Sequence, residues 1–453
     1  MRLHLLALVW ATATLTDLWG LASVATAQPP PPHIVFILSD DQGSYDVSYK
    51  GGDIKTPHID QLAAAGTQLD QFYVQPVCSP TRAALMTGRY PMRYGLQVGV
   101  VRPWANYGLP LEERLLPQAL KEHGYRTVIC GKWHLGSFDP AYWPMQRGFD
   151  SHTGHLFGAI DYFTHQRDNT VDWYVHGEQQ NQPGYSTHLI AAAAVKAVEE
   201  HDPQQPLFLY VPFNAVHGPY QVPEEYKRGF EHLQGNRLQM AGMLTALDEA
   251  VGQIVAAVEK RGMRENTLFV YSSDNGGVGP NKITSNGPLR DGKGSVYEGG
   301  VRGVAFATWD GHIPAGAINR QPLHIVDWYP TLIKLSGGNL EQPLPLDGQD
   351  LWPVLTAEAK SPHAEILHNT TPNGGAIRVG DWKLVVKSAG TGKGKKKSGD
   401  GQTSYELYQL LEDPSESTNL ADRHPQKLRE LQTRYEHYAQ AAATPKNTQD
   451  AAE

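Results

Sequence analysis

The sequence predicts an α/β fold: a mainly parallel sheet sandwiched by helices, followed by a smaller C-terminal antiparallel sheet with one helix. Apolar runs of strand length, at residues 33–39, 127–130, 207–211 and 268–271, alternate with helical segments, which is typical of βαβ units. Polar clusters follow these runs directly. Because ligands bind beyond the carboxyl ends of such strands, we expect the clusters to converge at one site.

The intervening segments have helical signals. Thr56 and Pro57 form a helix start, and the apolar residues between Met240 and Val258 keep helical spacing. Beyond about residue 363 the pattern changes to short strands and a terminal amphipathic helix near residues 425–439. We therefore expect a catalytic domain over residues 33–360, a C-terminal α+β subdomain over 361–442 and a disordered tail over 443–453.

Composition limits the possible functions. The chain has 453 residues, 40% of them hydrophobic and 19% charged, which is enough for two cores. Its net charge of −8 gives no general attraction for nucleic acid or an anionic membrane, and no nucleic-acid partner is expected. An acidic protein that binds an anionic substrate must concentrate positive charge locally.

The N-terminus predicts export to the periplasm or the extracellular space. Residues 1–27 have a basic start, an apolar run and Ala25-Thr26-Ala27, which is typical of a secretory signal peptide. An N-terminal membrane anchor is the alternative, although the apolar run is shorter than a membrane span needs. Residues 28–32 form a proline-rich spacer, and no later segment is expected to cross a membrane.

Cys78 lies in an unusual cluster, Cys78-Ser79-Pro80-Thr81-Arg82. Because a proline fits the first turn of a helix, Cys78 is expected at a helix N-terminus, where backbone N–H groups favour an anion. The alternative is an ordinary buried cysteine at a capped helix. Cys130 ends an apolar run and is expected to be a buried strand residue. We therefore predict no disulfide, although disulfides are common in exported proteins.

Four oxygen-bearing side chains follow two predicted strands: Asp40 and Asp41 after the first, and Asp274 and Asn275 after a later one. Oxygen ligands suit Ca²⁺ or Mg²⁺ and disfavour zinc. Taken alone, Asp40 and Asp41 could also cap a helix. Together with Asp274 and Asn275 they predict a divalent-cation site, since adjacent carboxylates repel unless a cation lies between them.

Five further side chains are candidates for handling an anion. Arg82 lies in the cysteine cluster, and Lys132 and His134 share the loop 131–136. His217 and Lys293 follow in later loops and are ambiguous when considered singly. Cations could neutralise an anionic group, and a histidine could transfer a proton during a reaction.

The cysteine cluster, its flanks and the other motifs, in this order, resemble the type I sulfatases. The resemblance implies an alkaline-phosphatase-like fold and oxidation of Cys78 to formylglycine by a formylglycine-generating or other maturing enzyme. It also implies that the hydrate of this aldehyde attacks sulfur, with Ca²⁺, or Mg²⁺, as cofactor. The positions that match the family's site residues are Asp40, Asp41, Cys78, Arg82, Lys132, His134, His217, Asp274, Asn275 and Lys293. The resemblance implies that residue 78 is also a metal ligand.

In the family's chemistry, Arg82 and Lys132 would fix the nucleophile and neutralise charge. His134 would act on the hydrate hydroxyl, so that sulfate is expelled and the aldehyde is regenerated. His217 and Lys293 are candidates for the general acid and its neighbouring clamp.

The predicted substrate is a sulfated carbohydrate. Residues 115–118, 146–150 and 298–303 resemble the arylsulfatase B group of N-acetylgalactosamine 4-sulfatases. However, Gln42-Gly43-Ser44 and Gly294 depart from the pattern, so a prokaryotic polysaccharide sulfatase is equally compatible. A phosphate mono- or diester hydrolase and a catalytically inactive sulfate-binding protein remain alternatives. The lysine-rich stretch 393–397 predicts a flexible loop, with contact to a polyanion as the alternative.

Overall fold

The protein is described for residues 30–388 and 403–448 of a computed structural model. The signal segment, the lysine-rich stretch 393–397 and the last five residues lie outside this part. The strands of the described residues are β1 (His33–Ser39), β2 (Thr67–Leu69), β3 (Phe72–Tyr73), β4 (Arg126–Lys132), β5 (Ser151–His155), β6 (Gln166–Arg167), β7 (Thr170–Val171), β8 (Tyr174–Val175), β9 (Glu178–Gln179), β10 (Leu207–Pro212), β11 (Thr267–Ser273), β12 (Ala305–Thr308), β13 (Ala317–Asn319), β14 (Leu323–His324), β15 (Ile366–Thr371), β16 (Gly374–Val379), β17 (Trp382–Lys387) and β18 (Ser404–Gln409). The helices are α1 (Pro57–Ala64), α2 (Cys78–Thr87), α3 (Leu116–Lys121), α4 (Ser186–Glu199), α5 (Gly235–Lys260), α6 (Glu298–Val301), α7 (Trp328–Leu335), α8 (Trp352–Thr356) and α9 (Pro425–Gln440).

A large mixed sheet forms the centre of the fold. Within the described residues it has ten strands in the order β13-β2-β12-β11-β1-β10-β4-β5-β8-β9. The central strands β11, β1, β10, β4 and β5 are parallel. Antiparallel pairing begins outside this centre, with β12 on β11 and β8 on β5. The predicted mainly parallel sheet is confirmed, and the four predicted strands β1, β4, β10 and β11 all belong to its parallel centre.

Helices cover both faces of this sheet. Along β1, Ile34, Phe36 and Leu38 pack into a core with α2, α3, α7 and α9, whereas Val35 and Ile37 pack into a second core with α1, α4 and α5. All of β1 is buried. A strand buried on both faces has no polar side to alternate with, which explains its continuous apolar run.

The long helix α5 supports the second core. Its length and composition would allow it to cross a membrane, and among the described residues it is the one helix that meets this criterion. However, its apolar residues are buried, and it packs against α4 and joins the core beneath the sheet. A core helix with this packing has the same composition as a membrane span, so the criterion does not distinguish the two.

The C-terminal part contains an antiparallel sheet in the order β15-β16-β17-β18, with α9 packed on it. This confirms the predicted small sheet and helix. Strand β15 was not predicted, because His368, Asn369 and Thr370 interrupt its apolar pattern although all three are buried. Leu367 and Ile377 join the core around α2 and α7, so the two sheets share apolar packing.

Candidate active site

The carboxyl ends of three central strands bring the first polar cluster together. In the register of β1 and β11, Ser39 pairs with Ser273, so the next residues, Asp40 and Asp274, lie side by side. The backbone N–H of Asp274 donates to the Ser39 carbonyl at 3.0 Å, and that of Asp40 donates to Ala215, beyond the end of β10, at 2.9 Å. Residues from three distant parts of the chain are thus fixed by main-chain hydrogen bonds.

Helix α2 begins at Cys78 and points its first turn at this cluster. The Cys78 sulfur and carboxylate oxygens of Asp40 and Asp274 all lie within 4.8 Å of one another. Ligand atoms of Asp40, Asp41 and His217 meet the same criterion. The predicted convergence of the cysteine with the strand ends is therefore observed.

Arg82 lies one helical turn beyond Cys78, and its side chain contacts the same cluster. Its Nη2 lies 2.8 Å from Asp274 Oδ2 and 3.3 Å from Asp40 Oδ2, and its Nη1 donates to the Lys132 carbonyl at 3.1 Å. The Lys132 ammonium donates to the same oxygen of Asp40. All four side chains are fully buried, so each charge depends on these partners for its stability.

A second ionic group lies around Asp41. Lys293 Nζ is 2.7 Å from Asp41 Oδ1, which also accepts a hydrogen bond from Asn275 Nδ2 at 2.8 Å. His217 Nε2 lies 3.6 Å from Asp41 Oδ2, too far for a good hydrogen bond. Asp41 itself has a positive φ of 61°, an uncommon conformation for a residue other than glycine. The structure thus brings all ten predicted site residues to one edge of the sheet.

Two buried oxygens in this cluster have no hydrogen-bond partner among the described residues: Asp40 Oδ1 and Asn275 Oδ1. Such orphaned oxygens are costly unless another group satisfies them. The cluster offers only hard oxygen donors besides the cysteine sulfur and His217. These features fit a hard divalent cation such as Ca²⁺ or Mg²⁺.

The pKa values of the two buried carboxyl groups, Asp40 and Asp274, are shifted in opposite directions. Burial favours the neutral acid at both, and for Asp274 burial and then the adjacent Asp40 raise the pKa to about 6. For Asp40, Lys132, His217 and Arg82 outweigh burial and hold its pKa well below the usual range. A dication at this position would stabilise both carboxylates in their ionised form.

His134 is held as a neutral imidazole. Burial and then Lys132 keep its pKa well below the ordinary value. Its Nε2 lies 2.9 Å from the Val101 carbonyl, which can only accept, so Nε2 carries the proton and Nδ1 has a free lone pair. A Cβ at Gly158 would lie 2.4 Å from the ring, so only glycine allows this approach. The Nδ1 atom has no hydrogen-bond partner within the described part of the chain.

The two cysteines lie in different environments. Cys130 is buried within β4, as predicted, and the structure has both cysteines free. Burial raises the pKa of the Cys78 thiol, and it outweighs the opposing effect of Lys132 and Lys293. A thiol that stays protonated is a poor nucleophile. The unmodified side chain is therefore unsuited to attack an ester.

A cavity of about 260 Å³ opens beside Cys78 and contains His134, His217 and Lys293 in its wall. Sequence reasoning missed part of this wall. The loop 99–103, Gly158 and Arg167 also line it. No sequence signal marks these residues, because they lie in segments between the motifs, Arg167 in the short strand β6, and only the folded chain brings them to the cysteine.

The chain was compared with known proteins. A family model described as Sulfatase matches residues 32–338. Arylsulfatase J of Mus musculus is 38% identical over 92% of this chain and 77% of its own length, and N-acetylgalactosamine-6-sulfatase of Mus musculus is 33% identical over 76% and 70%. The crystal structure of Ps i-CgsB in complex with k-i-k-neocarrahexaose has a TM-score of 0.82 and 32% identity, covering 92% of this chain and 94% of that one.

These similarities extend over most of the chain and include every strand end described above. They confirm the predicted family, fold class and enzyme class, whereas the likeness to N-acetylgalactosamine 4-sulfatases remains a prediction. The chain belongs to the sulfatase family and is a sulfuric ester hydrolase.

Proposed function

We propose that this enzyme hydrolyses sulfate esters of a sulfated carbohydrate, with a formylglycine made from Cys78 as nucleophile and Ca²⁺ as cofactor. One observation carries the proposal: the Cys78 sulfur lies within 4.8 Å of carboxylate oxygens of Asp40 and Asp274. The atom at the tip of residue 78 is therefore next to the place where a cation would bind. The residues that would hold the cation are Asp40, Asp41, Asp274, Asn275 and residue 78 itself.

The cation and the formylglycine would supply chemistry that the unmodified chain lacks. A bound divalent cation polarises a sulfuryl oxygen and stabilises an ionised oxygen nucleophile, and a formylglycine hydrate provides that oxygen. The chain's own residues do the positioning. Arg82 and Lys132 hold Asp40 and Asp274 in place through buried ion pairs and keep positive charge beside residue 78.

Proton transfer at residue 78 falls to His134. Its Nδ1 carries a lone pair and no partner among the described residues, while its Nε2–H is held by the Val101 carbonyl. A base fixed in one tautomer can accept the proton of a hydroxyl at residue 78 as sulfate leaves. The positive φ of His134, 60°, is consistent with a conformation maintained for this role.

Lys293 and His217 act on the substrate side. Lys293 is held by both oxygens of Asp41, at 2.7 and 2.9 Å, so it serves as a fixed cationic clamp for sulfuryl oxygen. His217 lines the same cavity, keeps 23% of its side chain exposed and has Nε2 beyond hydrogen-bond distance of Asp41. We therefore assign protonation of the leaving alkoxide to the imidazolium form of His217; burial lowers the pKa of His217, and the neighbouring Asp41 and Asp40 oppose this effect.

The carbohydrate substrate is inferred from the relatives. N-acetylgalactosamine-6-sulfatase is named for a sugar sulfate, and the structure of Ps i-CgsB contains k-i-k-neocarrahexaose. Residues 1–27 have the composition of a secretory signal, and a secreted or periplasmic enzyme would meet such polymers outside the cell. A maturing enzyme that oxidises Cys78 is then a required partner.

Mass analysis of the Cys78 peptide tests the nucleophile. Enzyme that is active on an aryl sulfate should contain a peptide that has lost one sulfur and two hydrogens and gained one oxygen. A plain thiol in fully active enzyme would refute the assignment. Comparing aryl sulfate with aryl phosphate tests the phosphohydrolase alternative, and a clear preference for phosphate would contradict sulfate ester hydrolysis as the main activity.

Export can be tested separately. The full-length chain should be recovered outside the cytoplasm with a new N-terminus near residue 28, and a variant that lacks residues 2–27 should remain inside. Retention of the intact N-terminus in a membrane fraction would instead support the anchor alternative.

A further inference from the structure

Two arginines that belong to no sequence motif line the active-site cavity: Arg102 and Arg167. Arg102 is exposed, and Arg167 keeps 28% of its side chain exposed, whereas Cys78 is only 2% exposed. The arginines therefore lie towards the solvent side of the cavity and the nucleophile lies at its buried end. A substrate that places its reacting ester at Cys78 must extend past them.

The hydrogen-bond donors of these two arginines are largely left free by the fold. The cations at the buried end, Arg82, Lys132 and Lys293, are each paired with a carboxylate. In contrast, the Arg102 guanidinium makes no hydrogen bond or ion pair with any residue that the structure describes.

Among the described residues the Arg167 guanidinium makes one weak ion pair, and it also acts on the buried Asp172, whose pKa it lowers against the effect of burial. Its Nε lies 3.6 Å from a carboxylate oxygen of Asp168, whose side chain is 72% exposed. An ion pair that is so open to solvent contributes little, and it competes weakly with a ligand. Both guanidinium groups thus have donors available to a ligand in the cavity.

We propose that Arg102 and Arg167 form a subsite for a second oxyanion, a sulfate or a carboxylate, carried by the same carbohydrate as the reacting sulfate ester. A guanidinium presents donors in a planar fork that matches an oxyanion in two-point contact. The cavity of about 260 Å³ is smaller than the pockets of about 300–1,000 Å³ that enclose drug-sized ligands. It therefore suits one sugar unit, with neighbouring substituents at the arginines.

This inference rests on the proposed function and narrows its substrate class to carbohydrates with more than one anionic group. It predicts that specificity comes from charge spacing as well as from the sugar. The two arginines are specificity residues at the solvent side of the cavity, distinct from the groups around residue 78. Salt should weaken the preference for multiply charged substrates, since the contacts are partly exposed.

The test compares three disaccharides that share one reacting sulfate: one with no other charge, one with a second sulfate and one with a uronate carboxylate. We expect the wild type to prefer one or both of the doubly charged substrates. In the Arg102→Gln/Arg167→Gln double variant the ratio of kcat/KM on doubly to singly charged substrate should fall roughly 10- to 100-fold, mainly through KM. The carboxylate and sulfate arms identify which oxyanion the subsite accepts.

Arg320→Gln is the matched control, because Arg320 is an exposed arginine outside the wall of the cavity and should leave the ratio unchanged. The inference is overturned if the wild type hydrolyses these disaccharides but shows no preference for either doubly charged substrate. It is also overturned if the double variant keeps the wild-type ratio.

A binding experiment separates this inference from the proposed function. Calorimetry would measure the affinity of the Cys78→Ala protein for the same disaccharides, with and without the arginine changes. If the wild type fails to hydrolyse any sulfate ester, the proposed function fails. The subsite would still stand if the second anion tightens binding only when the arginines are present, and it would fall if the arginine changes do not alter affinity.

Discussion

Two buried ionic clusters in this protein differ in how completely their charges are satisfied. Beneath the C-terminal sheet, Lys383 Nζ lies 2.9 Å from carboxylate oxygens of both Glu298 and Glu416. The other oxygen of Glu298 accepts from Tyr73 at 2.8 Å, and the other oxygen of Glu416 accepts from the Glu298 backbone N–H at 2.6 Å. Every carboxylate oxygen of this cluster therefore contacts a cation or a donor, although Glu416 Oε1 contacts Lys383 as an ion pair and not as a hydrogen bond.

The active-site cluster has ions that are equally buried but is not complete in this sense. Asp40 Oδ1 and Asn275 Oδ1 have no hydrogen-bond partner among the described residues, and neither does His134 Nδ1. Buried groups that the fold leaves unsatisfied are expected where a ligand or a reaction satisfies them. The comparison indicates that the Lys383 cluster serves stability, whereas the Asp40 cluster is arranged for a cation and a substrate.

The largest effect should come from the nucleophile. Changing Cys78→Ala should lower kcat on an aryl sulfate by about 10⁴-fold or more, since loss of a covalent nucleophile leaves only binding and electrostatic effects. The matched control is Cys130→Ala, which removes the other buried cysteine from β4 and should keep activity. Circular dichroism should show both variants folded; substantial turnover by Cys78→Ala would break the comparison.

Removal of the cation is the next test. Chelation should abolish activity, and added Ca²⁺ should restore it and raise the free energy of unfolding by about 2.7 kcal/mol at a concentration one hundred times Kd. Asp274→Asn should lose activity on the order of 10²–10³-fold or more and should lose the calcium-dependent stabilisation.

Thermal unfolding with and without Ca²⁺ measures this response. A variant of the Lys383 cluster, such as Lys383→Met, should still be stabilised by Ca²⁺. If Asp274→Asn gains as much stability from Ca²⁺ as the wild type does, the assignment of Asp274 as a ligand is wrong.

The Lys383 cluster should respond in stability instead. Lys383→Met leaves two buried carboxylates without their shared cation, so we expect a loss of about 3–5 kcal/mol in the free energy of unfolding. Lys387→Met is the matched control on the same strand. Its partner Glu406 and Lys387 itself are partly exposed, so its loss should be about 0–1 kcal/mol. Equal losses in urea denaturation would show that burial does not distinguish the two pairs.

How much of this could be predicted from the sequence depends on whether a residue's environment leaves a local pattern. The central strands were predictable because burial on both faces produces a continuous apolar run, as in β1. Site residues were predictable because they follow such runs directly or lie in compact motifs. Strand β5 was not, since its sequence Ser151–His155 has few apolar residues although it pairs with β4 inside the sheet.

Contacts between distant segments were also beyond the sequence. The three residues of the Lys383 cluster, Glu298, Lys383 and Glu416, lie far apart in the chain. Each is of a charged type that is usually exposed to solvent, yet all three are buried in the fold. Arg102 and Arg167 likewise lie in separate segments, a loop and the short strand β6, which only the folded chain brings to one cavity. Contacts between segments that are distant in the chain produce no regular residue spacing that a single sequence could reveal.

The smallest predicted effect concerns pH. Burial, opposed by Lys383, raises the pKa of Glu416 from 4.5 to about 7. A carboxyl whose pKa is higher in the folded state contributes stability that is fully present below about pH 4.5 and is lost as the pH rises through about 7. Glu416→Gln should therefore gain stability relative to the wild type between about pH 5 and 8.

Urea denaturation at fixed Ca²⁺ would measure the difference in free energy of unfolding between Glu416→Gln and wild type at each pH. Glu406→Gln is the control. Lys387 and then Tyr297 outweigh burial and lower the pKa of Glu406, so the stability that Glu406 contributes is lost only on acidification. The difference in free energy of unfolding between Glu406→Gln and wild type should therefore stay constant between about pH 5 and 8. Parallel curves for wild type and Glu416→Gln would mean that Lys383 offsets the burial of Glu416 and keeps it ionised, so that the expected rise in its pKa would be wrong.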